Sequence, residues 1–391
     1  MSITAVMPTY ARTDVAFEKG EGSYLTDSTG RRYLDFGTGI ATAGIGHCHP
    51  HLAEAIAKQA ATLMHCSNLY NIPGQQKMAD RLVAATFADS VFFANSGAEA
   101  NECAIKMARR YQHVSGHPER YRIITFENCF HGRTLATIAA TGAEKVLQGF
   151  GPKVEGFDQV AYGDLKATEA AITNETAAIM VEAVQGEGGF FVAPDGFLEG
   201  LRKLCDKHGL LLVDDEIQTG MGRTGSFLAF EQWGVKPDIA TLGKSIGGGF
   251  PTAACIATEE AAKGMTAGTH GSTYGGNPLA MAAANATMDV VLEPGFMDHV
   301  QAMSKKLRAG VEAIRDRNDS VIELVRGKGL MIGLKTRVPN GDIVNKLRDA
   351  GMLTVPAGDN VVRLLPPMNV SEAEVDEALA IIEKVCVGDG S

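Results

Sequence analysis

Leu210-Leu211-Leu212-Val213-Asp214-Asp215-Glu216-Ile217-Gln218 is an apolar run that ends in three consecutive acids. It reads as a buried strand of a parallel sheet, and such a strand should not carry acids without partners. Side chains alternate along a strand, so Asp215 and Ile217 share one face while Asp214 and Glu216 point the other way. A carboxylate and an aliphatic group then stand side by side at the carboxyl end of a strand, where open α/β sheets bind ligands. The plainer alternative is that Asp214 to Glu216 marks the place where the strand meets water.

Outward from this strand, strand-like and helical runs alternate. Val91 to Ala94 precedes a helical Ala98 to Tyr111, Tyr121 to Phe126 follows, and Ala177 to Val184 precedes a helical Phe197 to His208. Such alternation implies an α/β domain with a mainly parallel sheet. Before it, two short runs from Ser23 to Phe36 flank Ser28-Thr29-Gly30 as in a hairpin, and Pro50 opens an amphipathic stretch to Leu63. After Gly276 the texture becomes helical (Pro278 to Leu292, Phe296 to Arg315), with a strand pair around Val321 to Leu334 and a closing helix from Glu372 to Val385. The division expected is an amino-terminal segment of a small domain over 1–50, a large domain over 51–280 and the carboxy-terminal part of the small domain over 281–391.

The chain has 391 residues, 45% hydrophobic and 21% charged, which suits a folded globular protein and neither a disordered nor a collagen-like one. With 36 basic against 46 acidic residues the net charge is −10, which disfavours nucleic acid and anionic lipid as partners. The seven cysteines are scattered, without a CxxC pair, as in a reducing compartment. Met1 to Arg12 lacks a charged start followed by an apolar core, and no stretch approaches a membrane span, so a cytoplasmic protein is expected.

Two further segments carry chemistry. Thr241-Leu242-Gly243-Lys244-Ser245-Ile246-Gly247-Gly248-Gly249 places one lysine in an uncharged, glycine-rich stretch. Desolvation lowers the pKa of such an amine and makes it a nucleophile able to form a Schiff base. Asn95-Ser96-Gly97-Ala98-Glu99-Ala100-Asn101 follows a strand and opens a helix, so its free N–H groups form an anion site, although Ser96 also fits as a plain N-cap. An anion site, a strand-end acid and an isolated lysine together match the phosphate, ring nitrogen and aldehyde of pyridoxal phosphate.

At this point the chain resembles the class III, fold type I pyridoxal-phosphate aminotransferases, and among them the group that acts on acetylornithine. The resemblance runs from Leu34-Asp35-Phe36 and Gly46-His47-Cys48-His49-Pro50 through Phe130-His131-Gly132-Arg133-Thr134, Glu182-Ala183-Val184-Gln185-Gly186-Glu187-Gly188-Gly189, Asp215-Glu216-Ile217-Gln218-Thr219-Gly220, Lys244 and His270-Gly271-Ser272-Thr273-Tyr274-Gly275-Gly276-Asn277-Pro278 to Arg363. It implies a large domain around a mainly parallel seven-stranded sheet and a smaller α+β domain formed by both chain ends.

It also implies roles. Lys244 would hold the cofactor as a Schiff base and move a proton, and Asp215 would keep the pyridine nitrogen protonated. Ile217 and Phe130 would flank the ring, Gln218 would bond its hydroxyl, and Ser96, Gly97 and Ala98 would hold the phosphate. Thr273 would reach the phosphate of the neighbouring subunit, which implies an obligate homodimer with shared active sites. Arg133, with Ser272 nearby, and Arg363 would bind substrate carboxylates, and Glu187 would pair with Arg363 when the substrate has no α-carboxylate at its reacting end. His131 beside Phe130, the Asn68-Leu69-Tyr70 segment and the compact length favour an acetylornithine donor over ornithine or 4-aminobutyrate. Succinylornithine and succinyl-diaminopimelate remain alternatives, and an aminomutase a more distant one. Asp214 departs from the apolar or aromatic residue usual before the Asp-Glu pair, and is expected to alter packing more than chemistry.

Three other readings compete. Gly220-Met221-Gly222-Arg223-Thr224-Gly225 fits a dinucleotide motif, but Ser226 to Lys236 is too short and too broken for the helix that motif should open. Gly243-Lys244-Ser245 lacks the upstream glycine of a nucleotide-phosphate loop. His47, Cys48, His49 and His51 could ligate a metal, yet no second ligand pair stands at zinc spacing, and Pro50 opening a helix explains the cluster more simply.

Overall fold

The computed structural model describes residues 5–141 and 143–387. The first four residues of the amino-terminal segment and the last four of the closing one therefore lie outside the described residues. Seven strands form the central sheet: β1 (Ser90–Ala94), β2 (Arg122–Phe126), β3 (Phe157–Val160), β4 (Thr176–Val181), β5 (Leu211–Asp215), β6 (Ile239–Leu242) and β7 (Ala253–Ala257). Their order is β1-β7-β6-β5-β4-β2-β3. Every ladder is parallel except those of β7, which runs antiparallel to both β6 and β1.

Alternation along β5 decides what covers the sheet. Leu211 and Val213 pack with Cys103, Ala104, Met107 and Ala108 of helix α1 (Gly97–Val114). Leu212 faces the other layer, where Phe197, Leu198, Leu201 and Cys205 of helix α2 (Phe197–His208) meet Ile124, Ile179 and Val181. Each such fully buried aliphatic side chain is worth ~1.5–3 kcal/mol of transfer free energy. Helix α2 stops where Gly209 turns left-handed, the residue type that does so without a Cβ penalty.

The two chain ends meet in a second body. The hairpin of Tyr24–Asp27 and Arg32–Asp35 pairs Tyr24 with Leu34, and Arg32–Asp35 runs parallel to Met352–Leu353 near the other end of the chain. An antiparallel sheet of Ile322–Lys328, Met331–Thr336, Val361–Leu364 and Val355–Ala357 completes it, with helices α4 (Phe296–Arg317) and α5 (Glu372–Cys386) packed together. Helix α3 (Pro278–Val291), which begins at the Asn277 cap, is buried nearly all round. Between hairpin and large domain the backbone makes one left-handed turn, with φ of 45° at Thr38, 62° at Gly39, 61° at Ile40 and 63° at Ala41. For residues with a Cβ that conformation costs roughly 1–2 kcal/mol each.

The acids at the end of β5 do not meet water: Asp214, Asp215 and Glu216 are 2%, 4% and 1% exposed. Glu216 accepts the N–H of Phe230 at 3.0 Å and the hydroxyl of Thr219. Asp214 points to the α2 side with its Oδ1 unpartnered, and burial, followed by the charges of Glu216, Asp215 and Glu182, pushes its carboxyl well above the usual range. The expectation that Asp214 touches packing rather than the ligand face fits this placement.

A buried acid with a raised pKa costs nothing below about pH 3, where the unfolded chain is protonated too. The cost then grows as pH rises, because only the unfolded chain ionises. Asp214→Asn should therefore match the parent's thermal stability at about pH 2.5 and exceed it increasingly up to pH 8. Melting curves across that range test it; a gain independent of pH would contradict it.

Candidate active site

Because Asp215 continues the face of Leu211 and Val213, it projects toward helix α1. There Asn101 donates from Nδ2 to Asp215 Oδ2 at 2.8 Å and to the His131 carbonyl at 2.7 Å. The Thr241 hydroxyl donates to Asn101 Oδ1 at 2.8 Å, which fixes the orientation of that amide. His131 Nδ1 lies 2.7 Å from the same Asp215 oxygen, and the N–H of Ile217 donates to Oδ1 at 3.1 Å. Burial alone would lower the imidazole pKa of His131, but Cys129 and Asp215 beside it pull it well above its ordinary value. A cation or proton donor thus faces the Asp215 carboxylate from behind.

In front of Asp215 opens a cavity of about 240 Å³ lined by Gly97, Ala98, Phe130, Arg133, Glu187, Ile217, Gln218 and Lys244, together with His131, Gly132 and Glu182. Ser96, the residue before Gly97, is the N-cap of α1 and does not itself line the cavity. Its hydroxyl caps α1 by accepting the N–H of Glu99 at 3.3 Å, the plain N-cap, while the first N–H groups of a helix keep no internal partner. A Cβ on Gly97 would stand 2.8 Å from Ile217, so the close seat of Ile217 on the helix start requires glycine.

Lys244 follows β6 on a single 3-10 turn, Lys244–Gly247, and itself has φ of 44°. Burial lowers its ammonium pKa to about 8, against the opposing pull of Glu187. Burial also raises the Glu182 carboxyl to about 8; its Oε2 accepts the N–H of Phe130 at 3.1 Å. The sequence reading quoted Glu182, Asn101 and His131 within motifs but gave them no task. Their signal is a polar residue on a buried face, visible only once the partners are known.

Arg363 is 1% exposed, and its Nη1 reaches Glu187 Oε1 at 2.5 Å and the Gly186 carbonyl at 3.2 Å. Burial opposes ionisation of Glu187, but the Arg363 charge outweighs it and holds the carboxyl below its usual range. Arg133 is exposed, with its guanidinium 5.4 Å from the Phe130 ring. Gln218 Nε2 reaches Glu187 at 3.4 Å, and its Oε1 is buried without a partner.

Ser272 and Thr273 are not brought to this cavity within one chain. They line a separate recess with Asn95, Glu99, His270 and Tyr274, where the Ser272 hydroxyl accepts from Asn95 at 3.2 Å and from the N–H of Gly275 at 2.9 Å. Leu63, Met64, Leu69, Tyr70 and Tyr274 are exposed large apolar residues.

The competing motifs resolve geometrically. Gly220 to Gly225 forms turns and leads only to the 3-10 segment Ala229–Trp233, not to a long helix. The histidines at 47 and 51 diverge, His47 to Asp35 and His51 to Asp289, each at 2.8 Å. Among the described residues no helix is long and apolar enough to cross a membrane.

The family model described as "Aminotransferase class-III" matches residues 6–386. An acetylornithine aminotransferase of Mesorhizobium japonicum is 60% identical over 97% of this chain and 95% of its own length, and one of Agrobacterium fabrum 59% identical over 96% and 94%. Among solved structures, an ornithine aminotransferase of Toxoplasma gondii superposes with a TM-score of 0.94 at 32% identity, covering 98% of this chain and 92% of that one. An N-acetylornithine aminotransferase of Stenotrophomonas maltophilia superposes with a TM-score of 0.84 at 38% identity, covering 97% of each. With its sheet order, its strand-end acid and its isolated lysine in one cavity, the chain belongs to the class III aminotransferases.

Proposed function

We propose that this enzyme moves the δ-amino group between N2-acetyl-L-ornithine and 2-oxoglutarate, giving N-acetyl-L-glutamate 5-semialdehyde and L-glutamate, as a cytoplasmic homodimer in arginine biosynthesis. The observation that carries the reading is the convergence of Lys244, Asp215 and the start of helix α1 on one cavity, in a chain 60% identical to an acetylornithine aminotransferase. The donor set fits pyridoxal phosphate: a lysine amine with a depressed pKa, a carboxylate oriented from behind, a helix start for an anion, and flat walls in Phe130 and Ile217. When bound, that cofactor supplies an aldehyde for the amino group and a ring that withdraws electrons from the substrate carbon.

The chain's own residues then divide the work. Lys244, whose ammonium pKa is lowered by burial to about 8, is the anchoring nucleophile, and its Nζ carries a proton to and from the substrate carbon. Asp215 holds the proton on the ring nitrogen, and Asn101 and His131 orient it. Gln218, with its free Oε1, takes the ring hydroxyl. Ser96, Gly97 and Ala98 supply the phosphate seat, and Thr273, which stands outside its own chain's cavity, completes the seat of a second copy. Arg133 binds the α-carboxylate of acetylornithine and the distal carboxylate of glutamate, with Ser272 contributed nearby. Arg363 binds that of glutamate once Glu187 releases it, because a guanidinium fork matches a carboxylate.

Ornithine as donor is the second reading, favoured by the higher TM-score of the ornithine enzyme. Fold likeness does not select a donor, and the identity to acetylornithine enzymes is nearly twice as high.

Titration of the purified protein's visible spectrum with N-acetylornithine, ornithine, 4-aminobutyrate and succinyl-diaminopimelate, without keto acid, should convert the cofactor at the lowest concentration with N-acetylornithine. Earlier conversion by another donor overturns the donor assignment. Lys244→Ala should keep a folded dimer and lose turnover by a factor of about 10⁴ or more, as removal of a covalent nucleophile does; retained activity refutes the mechanism. Glu187→Gln, which removes the negative charge facing Arg363, should weaken N-acetylornithine relative to glutamate by roughly tenfold in kcat/KM, the equivalent of ~1.4 kcal/mol. An unaltered ratio contradicts the pairing role.

A further inference from the structure

The left-handed turn Thr38–Ala41 is the least comfortable backbone near the cavity. Three of its four residues carry a Cβ, and Ile40 is β-branched, which makes that conformation a true outlier. It is held from every side. Asp35 Oδ1 accepts the N–H groups of Gly37 and Thr38 at 2.8 and 2.9 Å, and Asp35 Oδ2 meets His47. On one flank the Thr38 hydroxyl donates to the Leu365 carbonyl at 2.9 Å, and the Leu365 N–H donates to the Phe36 carbonyl at 2.6 Å, two residues beyond Arg363. On the other flank Ser245, the residue after Lys244, donates its hydroxyl to the Ala41 carbonyl at 2.7 Å. A Cβ on Gly44 would stand 2.6 Å from that hydroxyl, so the chain is shaped to admit it. Ile40 packs with Val184, Phe190 and Leu365, beside the segment that bears Glu187.

We propose that this turn is a positioning strut of the active site, locked by Ser245, that sets the spacing between Lys244 on the large domain and Arg363 on the carboxy-terminal sheet. Strain that persists because its surroundings over-determine it is a mark of functional placement. Here two of the residues that hold it, Ser245 next to Lys244 and Leu365 two positions beyond Arg363, stand close in sequence to the two groups that must face one substrate from different bodies. Arg133 lies on neither flank, so the strut serves the α-carboxylate of glutamate or 2-oxoglutarate held by Arg363 and not the carboxylates held by Arg133. The inference rests on the roles of Lys244 and Arg363 proposed above.

The test uses the holoenzyme and the variants Ala41→Gly, Ser245→Ala and the double variant, with melting temperature and the two half-reactions read separately. Ala41→Gly removes one methyl and lets the turn leave the left-handed well. It should melt no lower than the parent yet raise the apparent KM for glutamate and 2-oxoglutarate about tenfold, with that for N-acetylornithine within about twofold, a cost in line with a misplacement of under an ångström. Ser245→Ala leaves the buried Ala41 carbonyl without that donor and so should melt lower, but it should raise the same KM values selectively, and the double variant should be no worse in KM than the worse single one, because both cut one linkage. Equal damage to both half-reactions in either variant, damage in Ala41→Gly that tracks a falling melting temperature, or additive effects on KM would each overturn the strut. If the parent itself fails to react with glutamate, the underlying reading fails and not the strut.

Discussion

A buried carboxylate must be met by hydrogen-bond donors or it does not stay charged. At Asp215 those donors come from three separate parts of the fold: Asn101 of helix α1, His131 of the loop after β2, and the backbone of Ile217 beyond β5 itself. The requirement therefore ties a strand, the helix that covers it and a crossing loop to one point. Period-two alternation supplies the rest. The same face that packs Leu211 and Val213 on α1 delivers Asp215 to Asn101, while the opposite face sends Asp214 and Glu216 into the layer of α2. The cavity opens where the apolar part of that face ends.

Sequence and structure agree where a run of side chains has one dominant period. Phe197 to His208 was legible to the residue because its apolar positions repeat along a helix and Gly209 stops it. The hairpin around Ser28-Thr29-Gly30 and the helix at Pro50 were marked by their turn chemistry. Ala253–Ala257 was not legible: Ala-Ala-Cys-Ile-Ala has no alternation and no large β-branched cluster, and it becomes a strand because two neighbours flank it. Phe157–Val160 hid behind Asp158 and Gln159, and Pro73–Ala85 behind a glycine and two glutamines at its start. Propensity is a weak guide wherever tertiary pairing decides.

The site divides the same way. Groups whose task follows from their own chemistry, such as the lone Lys244 or the strand-end Asp215, stand out in the chain. Groups whose task is to hold another group do not. Glu182 matters through the N–H of Phe130, and Asn101 through an amide turned by Thr241, relations between segments far apart in sequence. Asp214 to Glu216 illustrates the limit most sharply, since three acids in a row suggest solvent, and all three are buried because helix, loop and 3-10 segment close over them.

The antiparallel strand β7 also orders events in time. Strand β1, which leads directly into the helix start of the cavity, hydrogen-bonds in the sheet only to β7, and β7 is made long after it. At ~5–20 residues per second, translation leaves β1 and its helix without their sheet neighbour for on the order of ten seconds. Pairings that distant in sequence close late and slowly. The nascent chain must therefore carry β1 and the start of its helix without their sheet neighbour until Ala257 has been made, so the wall of the cavity that they form is completed only in the later part of synthesis.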